Sequence, residues 1–335
     1  MTARDLKAEW GLVGDVGATN ARFALVDPDG SIGFTRAILC QDFATIGEAI
    51  AAFLAEAPKP KPSHSVLAVA SSPDGDEVSL TNHPWTFSTE ALRRALGLNR
   101  LRIVNDFHAN ALAVPYLAAD ELIKIGAGET VAGTPIGILG PGSGLGVSAL
   151  VPTVDGAIAI PGEGGHVTMA AADAREAAVL EIIRRRFGHV SAERVLSGPG
   201  LVNLYVALRE LAEAAPECLT AEEISHPEAR ADDRFAREAT EMFCAMLGTV
   251  AGNLALTLGA RGGIYIAGGI VPKLGPTFVQ STFRERFEAK GRFRDYLAEM
   301  PTYVVVRPFA ALLGAAKLLR QTYRPGVNAG PKMVR

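Results

Sequence analysis

The sequence predicts an α/β protein built as two related halves, and three observations carry that reading. Apolar strand-like runs alternate with amphipathic helical stretches along almost the whole chain, the pattern of strands connected by helices in a layered fold. A glycine-rich hairpin, Leu12-Val-Gly-Asp-Val-Gly-Ala-Thr-Asn-Ala-Arg-Phe-Ala-Leu-Val26, is echoed later by Gly140-Pro-Gly-Ser-Gly-Leu-Gly-Val-Ser-Ala-Leu-Val151. Each runs from a strand through a glycine-rich, hydroxyl-bearing turn into a strand ending Ala-Leu-Val. The 335 residues suffice for two domains, each with its own core. The two copies differ in register by a residue, so the duplication is an expectation for the fold to test.

In the first half the strands fall at Leu12–Val16, Ala21–Val26, Val66–Ala70, Glu77–Thr81 and Leu101–Asn105, short apolar runs bounded by Gly, Pro, Asn or Asp. Helices are expected over Ile46–Glu56, Thr89–Leu96 and Phe107–Val114, where apolar residues recur at helical spacing. Pro58–Pro62, a run of Pro and Lys, reads as surface turn. The second half opens with strands Pro135–Leu139, Val147–Pro152 and Ala157–Ile160. Helices follow at Ala174–Phe187, Leu201–Ala214 and Phe235–Leu258. A strand over Gly263–Ala267 ends in the turn Gly268-Gly269, and the chain closes with strand Tyr303–Val306 and helix Ala311–Tyr323. The boundary falls near Pro115–Glu121, with the last helix folding back onto the first half. That gives a smaller domain of residues 1–116 plus 307–325 and a larger one of 117–306.

Composition bounds the function class. Hydrophobic residues make up 48%, charged residues 21%, and the formal net charge is −3, which describes a folded protein with no basic face for nucleic acid. The longest basic run, Arg184-Arg-Arg186, reads as the solvated side of a helix. Cys40, Cys218 and Cys244 are far apart and odd in number, so no disulfide framework or zinc site is expected, only reduced, buried thiols. Met1–Glu9 is too charged and short for a signal peptide. The apolar stretch Leu247–Leu258 contains Asn253 and two glycines and is too short to span a bilayer. A cytoplasmic protein without membrane contact is expected.

Four groups of residues could carry chemistry. In the first turn, Gly14 and Gly17 let backbone N–H groups approach an anion, and Thr19 and Asn20 add side-chain donors. Asp15 beside them could hold the water shell of a Mg²⁺ ion. The plainer reading of this segment alone is a tight hairpin. The chain has neither GxxxxGK[ST] nor a strict GxGxxG after a strand. Two hairpin turns could instead grip a polyphosphate from opposite sides, Gly142, Ser143 and Gly144 forming the second. Gly268-Gly269 would let a flat base lie against bare backbone.

Asn105 and Asp106 end a strand, where open α/β sheets place their ligand sites. Asp106 is read there as a general base, with capping of the next helix as the alternative. Glu163 and His166 lie in the glycine-rich loop Pro161–Val167 without helical period, which suits the donor-and-acceptor hydroxyls of a sugar. Glu193 reads equally as a ligand or as an acidic residue stabilising a helix start.

Taken together, these segments resemble the bacterial glucokinase family of the hexokinase-like sugar kinase superfamily. Gly14–Ala21 with Phe23 resembles its first phosphate motif, Asn105-Asp106-Phe107 its catalytic segment, Gly140–Val147 its second phosphate motif and Gly262–Pro272 its adenosine motif. Gly162–Val167, Glu193–Tyr205, Thr81-Asn-His-Pro-Trp85 and Lys290-Gly-Arg-Phe293 also fit, and the likeness runs from Leu12 to Gln321. The resemblance implies an α/β, two-domain actin/hexokinase-like (ribonuclease H-like) fold with a cleft between the domains. It implies ATP-dependent phosphorylation of D-glucose on its 6-hydroxyl, with Asp106 as catalytic base and Asn105, Glu163, His166 and Glu193 binding glucose. The nucleotide would be held by Gly14, Asp15, Val16, Gly17, Ala18, Thr19, Asn20, Gly142, Ser143, Gly144, Gly268 and Gly269. Asp15 would hold Mg²⁺ through water, and the enzyme would be a homodimer.

Two departures stand out. Ala18 replaces the usual glycine, which should stiffen the turn or restrict its φ, and Ser143 replaces Thr while keeping the hydroxyl. The alternatives are a broader hexose or N-acetylhexosamine kinase of the same superfamily and a sugar-sensing regulator on a kinase-like fold. Against them stand the lack of a cysteine-rich zinc motif and the few residues before Leu12, which leave no room for a DNA-binding domain. Sugar ligands drawn from both halves predict closure on glucose, hinged near Pro115–Glu121 and Tyr303–Val306.

Overall fold

A computed structural model of the protein describes residues 9–322 apart from 59, 60, 72, 82 and 155. Part of the turn expected at Pro58–Pro62, Asn82 of the Thr81–Trp85 segment, most of Met1–Glu9 and the helix end at Tyr323 lie outside the described residues. The chain divides into two compact units. One takes the chain up to Leu117 and from Pro308 onward, and the other is Ala118–Arg307.

The first unit contains β1 (Gly11–Val16), β2 (Asn20–Val26), β3 (Ile32–Leu39), α1 (Ile46–Glu56), β4 (His64–Val69), β5 (Glu77–Ser79), β6 (Thr86–Ser88), α2 (Thr89–Ala95), β7 (Arg100–Asn105) and α3 (Asp106–Ala113). Its main sheet has the order β3-β2-β1-β4-β7. β1, β2 and β3 are antiparallel, while β1, β4 and β7 run parallel. Phe23 and Phe34 both meet Phe53 of α1, with ring centroids 5.8 and 5.4 Å apart. Thr45 accepts the Glu48 N–H at 3.2 Å and so starts α1 at the expected residue.

The second unit opens with β8 (Leu122–Ile125), β9 (Ile136–Pro141), β10 (Leu145–Thr153) and β11 (Gly156–Gly162). It continues with α4 (Ala174–Phe187), α5 (Gly198–Leu211), α6 (Ala221–Ser225), α7 (Pro227–Asp232), α8 (Arg234–Leu258) and β12 (Ile264–Ile266). Four short helices, α9 (Ile270–Leu274), α10 (Pro276–Val279), α11 (Phe283–Glu288) and α12 (Arg294–Ala298), lead into β13 (Thr302–Val305). The sheet order is β11-β10-β9-β12-β13-β8. Again three antiparallel strands precede two parallel ones, and β8 adds an antiparallel edge. The shared strand order supports the duplication expected from the two hairpins. The described residues end in α13 (Ala310–Thr322), which packs on α3, β4 and β1 of the first unit.

Two expectations need correction. The length argument against a membrane span fails, because α8 is 25 residues long and apolar enough to cross a bilayer. Most of its residues are instead buried inside the second unit. Its glycines seat α11 rather than weaken the helix: a Cβ at Gly248 would overlap the Phe283 carbonyl oxygen, and one at Gly252 would lie 2.5 Å from that of Phe287. Asn253 accepts a hydrogen bond from Lys290 Nζ at 2.7 Å. The second correction is Cys218, which is exposed, whereas Cys40 and Cys244 are buried. Arg184, Arg185 and Arg186 lie on the exposed side of α4 and pair with Glu181 or Glu210, as their solvated reading requires.

Candidate active site

In the first unit the strand register brings the expected groups to one sheet edge. Val16 pairs with Val69, and Val69 with Asn105, so the β1–β2 turn and the β7–α3 junction sit two strand spacings apart, about 10 Å. Gly17 N–H donates to Asn20 O at 3.0 Å and closes the turn. Cys40 braces it from behind, donating its backbone N–H to Thr19 O at 2.9 Å and its thiol to Gly17 O at 3.5 Å. Among the described residues, the non-glycines with positive φ are Glu213 and Phe309. Ala18 therefore adopts no left-handed conformation in this turn.

Asn105, not Asp106, caps α3. Its Oδ1 accepts from Phe107 N–H at 2.8 Å and His108 N–H at 3.2 Å, and its Nδ2 donates to Ser71 O at 3.1 Å. That leaves Asn105 one amide hydrogen for a ligand. Asp106 is the first helical residue, and its Oδ1 also accepts from Phe107 N–H at 2.9 Å. The capping alternative thus belongs to its neighbour.

His108, two residues beyond Asp106, is pushed down to about 4 by burial, with Arg102 adding to the effect. A histidine depressed in the fold is neutral there while the unfolded chain takes up a proton below about 6.5. Stability should therefore fall on acidification between about pH 6.5 and 4. Chemical denaturation at several pH values should show a shallower fall in His108→Gln over that window.

Asp15 points from β1 beside its cross-strand neighbour Arg22, Nη1 to Oδ2 3.5 Å. Burial pushes the Asp15 carboxyl up, and Arg22 pulls it partly back. The hairpin register, which sets Asp15 opposite Arg22, is the sequence signal for this partner. A half-buried carboxylate next to a phosphate-type turn fits Mg²⁺, which takes one or two carboxylates and completes its shell with phosphate oxygens and water.

The second unit gathers more of the expected residues. Gly162 pairs with Val147, Val147 with Leu139 and Leu139 with Ile266. The loop after Gly162, the Gly142–Gly144 turn and Gly268-Gly269 therefore share one sheet edge. Gly142 N–H donates to Gly144 O at 2.8 Å, and a Cβ on Gly142 or Gly269 would meet nothing within 4 Å. The two turns are pressed together behind that open face. A Cβ on Gly140 would sit 2.5 Å from the Ala267 backbone, and Gly268 (φ +82°) would overlap Pro141 O, so neither position has room for a side chain.

Glu163 precedes a single 3₁₀ turn, Gly164–His166, where no helical period was expected. The Glu163 and His166 side chains are 55% and 60% exposed, Oε2 to Nε2 3.8 Å. Gly165 anchors the loop, since a Cβ there would overlap Leu145 O.

Glu193 lies in the 3₁₀ turn Ala192–Arg194, ahead of α5, whose cap is Ser197. Its carboxylate reaches across to Leu145, Oε2 accepting the backbone N–H at 2.8 Å. Glu193 is thus an acidic residue in the first turn of that 3₁₀ helix, and its bond to Leu145 is a further contact that could not be foreseen from spacing.

The sequence model of the glucokinase family matches residues 12–322. The chain belongs to the glucokinase family. The glucokinase of Aromatoleum aromaticum is 51% identical over 310 residues, 92% of this chain and 94% of that one. A crystal structure of glucokinase from an Antarctic psychrotroph matches with a TM-score of 0.83 at 35% identity, over 93% of this chain and 99% of the other. A ROK family glucokinase from Streptomyces griseus, in complex with glucose and AMPPNP, matches with a TM-score of 0.63 at 19% identity, over 93% and 99%. That last likeness speaks for the fold alone. The fold is the two-domain hexokinase-like α/β fold of the sugar kinases.

Proposed function

We infer that the protein is a glucokinase that transfers the terminal phosphoryl group of ATP to the 6-hydroxyl of D-glucose, giving glucose 6-phosphate and ADP. The family match over residues 12–322 carries this reading. A matrix of phosphoryl donors against hexoses and N-acetylhexosamines, read by ADP release, tests it. Preferential turnover of an N-acetylhexosamine would move the protein to the broader sugar kinases, and no turnover with any sugar would make it a sensor.

In this reading Glu163, His166, Glu193 and the remaining Asn105 amide hydrogen hold the sugar hydroxyls. Asp106 accepts the proton of the 6-hydroxyl as its oxygen bonds to phosphorus and the bond to the ADP oxygen breaks. Phosphoryl transfer asks mainly for positioning and charge stabilisation, which the backbone N–H groups of Gly14–Asn20 and Gly142–Gly144 supply to the phosphates. Bound Mg²⁺, held by Asp15 through water, would neutralise phosphate charge. The bare backbone at Gly268-Gly269 takes the adenosine. Reduced thiols suit the cytoplasm, and a homodimer is the assembly proposed, checked by sedimentation.

Loss of one partner from a site built around hydroxyls leaves polar groups unpaired, typically costing about 1–3 kcal/mol. Glu163→Ala and His166→Ala should each raise the KM for glucose by about five- to 150-fold, with the KM for ATP unchanged. Steady-state kinetics in both substrates would return either residue to a surface role if glucose KM stayed put.

A further inference from the structure

We propose that Glu193 is a positioning residue that couples the sugar site to the second phosphate turn. The proposal rests on the reading above, in which Glu193 binds glucose and Gly142–Gly144 binds phosphate. Its carboxylate is divided in use. Oε2 takes the N–H of Leu145, the residue that follows the turn, at 2.8 Å, while Oε1 has no protein donor among the hydrogen bonds described for this residue.

The segment carrying Glu193 grips the turn at a second point. Gly198 N–H donates to Gly142 O at 2.8 Å, and Ser197 Oγ donates to Glu193 O at 2.8 Å, tying the two grips together. Gly144 lies so close beneath the carboxylate that a Cβ there would overlap Oε2. Any shift of the Glu193 carboxylate toward a sugar hydroxyl is therefore transmitted to Leu145 and Gly144 through one short hydrogen bond and a van der Waals contact. A bound sugar that fixes Oε1 also fixes the phosphate turn. Glucose should then prepare the turn for ATP, and the phosphate turn should in turn orient Glu193 for glucose.

The test compares Glu193→Gln with Glu193→Ala, measuring KM for MgATP at saturating glucose, KM for glucose at saturating MgATP, kcat and the melting temperature. Glutamine keeps an oxygen for Leu145 N–H but offers an NH₂ group to the sugar. It should raise glucose KM while leaving MgATP KM within about twofold of the parent. Alanine removes both contacts and should raise glucose KM and also MgATP KM, the latter by about three- to tenfold, the range one backbone hydrogen bond commands. A general loss of structure would lower the melting temperature and kcat without a MgATP KM that glutamine restores.

An unchanged MgATP KM in Glu193→Ala, or an equal rise in both variants, overturns the coupling even if glucose KM rises. Glucose KM unchanged in both variants overturns the sugar-ligand reading itself.

Discussion

Replacing Asp106 by alanine or asparagine is expected to lower kcat by at least about 10²-fold, the lower end of what a positioned general base contributes. Glucose binding and the fold should survive. α3 keeps its cap in either variant, because Asn105 accepts the Phe107 and His108 N–H groups. What the helix loses is an acidic residue in its first turn, worth about 0.3–1 kcal/mol. The predicted signature is a fall in kcat and kcat/KM together, with equilibrium glucose affinity and melting temperature close to those of the parent. Isothermal titration with glucose, a coupled ADP assay and a thermal melt separate the terms. Turnover near normal in purified Asp106→Ala would take Asp106 out of the base role.

The largest effect on stability is expected at Gly314, on a helix that carries none of the proposed site residues. α13 crosses α3 so closely that a Cβ on Gly314 would overlap the carbonyl oxygen of Ala109. The obstacle is backbone, which cannot rotate away as a side chain can. Gly314→Val must push the two helices apart, and overpacking of this kind costs about 1–3 kcal/mol, occasionally more.

Because α3 begins at Asp106, the displacement should also appear as reduced kcat in the fraction that remains folded. Gly47→Ala, in α1, is the matched control: its methyl would meet Leu92 Cδ1 of α2 at an ordinary 3.5 Å, and alanine is the better helix former. A melting temperature lowered in Gly314→Val and held or raised in Gly47→Ala is the expected pair of results. Equal melting temperatures would mean that the helices can separate at no cost.

What could be read from the sequence was local. The bounds of α1 and α4 came out as predicted because capping side chains mark their starts, Thr45 for α1 and Asp173 for α4, and Gly188 ends α4 with a positive φ. The strands that went unread lie at edges or in short pieces. β3 exposes most of its residues and carries Gly33 and Arg36, and β8 is four residues long and half exposed. Neither has the apolar continuity that a buried strand requires. The short helices α9 to α12 owe their form to packing, α11 against the two glycines of α8, and such tertiary causes leave little periodicity to detect.

The same division applies to the site. Glycine turns and strand-end polar residues stand out along the chain. The row joining Gly162, Val147, Leu139 and Ile266 and the bond from Leu145 to Glu193 exist only after the sheet has formed.

The return of α13 to the first unit has a consequence for biosynthesis. A ribosome releases β1, β4 and α3 long before the helix that covers them, and a Cβ on Gly11 would overlap Leu319 of that helix. The second unit is continuous from Ala118 to Arg307 and needs no later segment of the chain for its core. The unit bearing Asp106 must wait, one apolar face open, until α13 emerges. Nascent chains of this protein therefore carry their greatest risk of misassociation in the segment made first, which is where chaperones should be found bound.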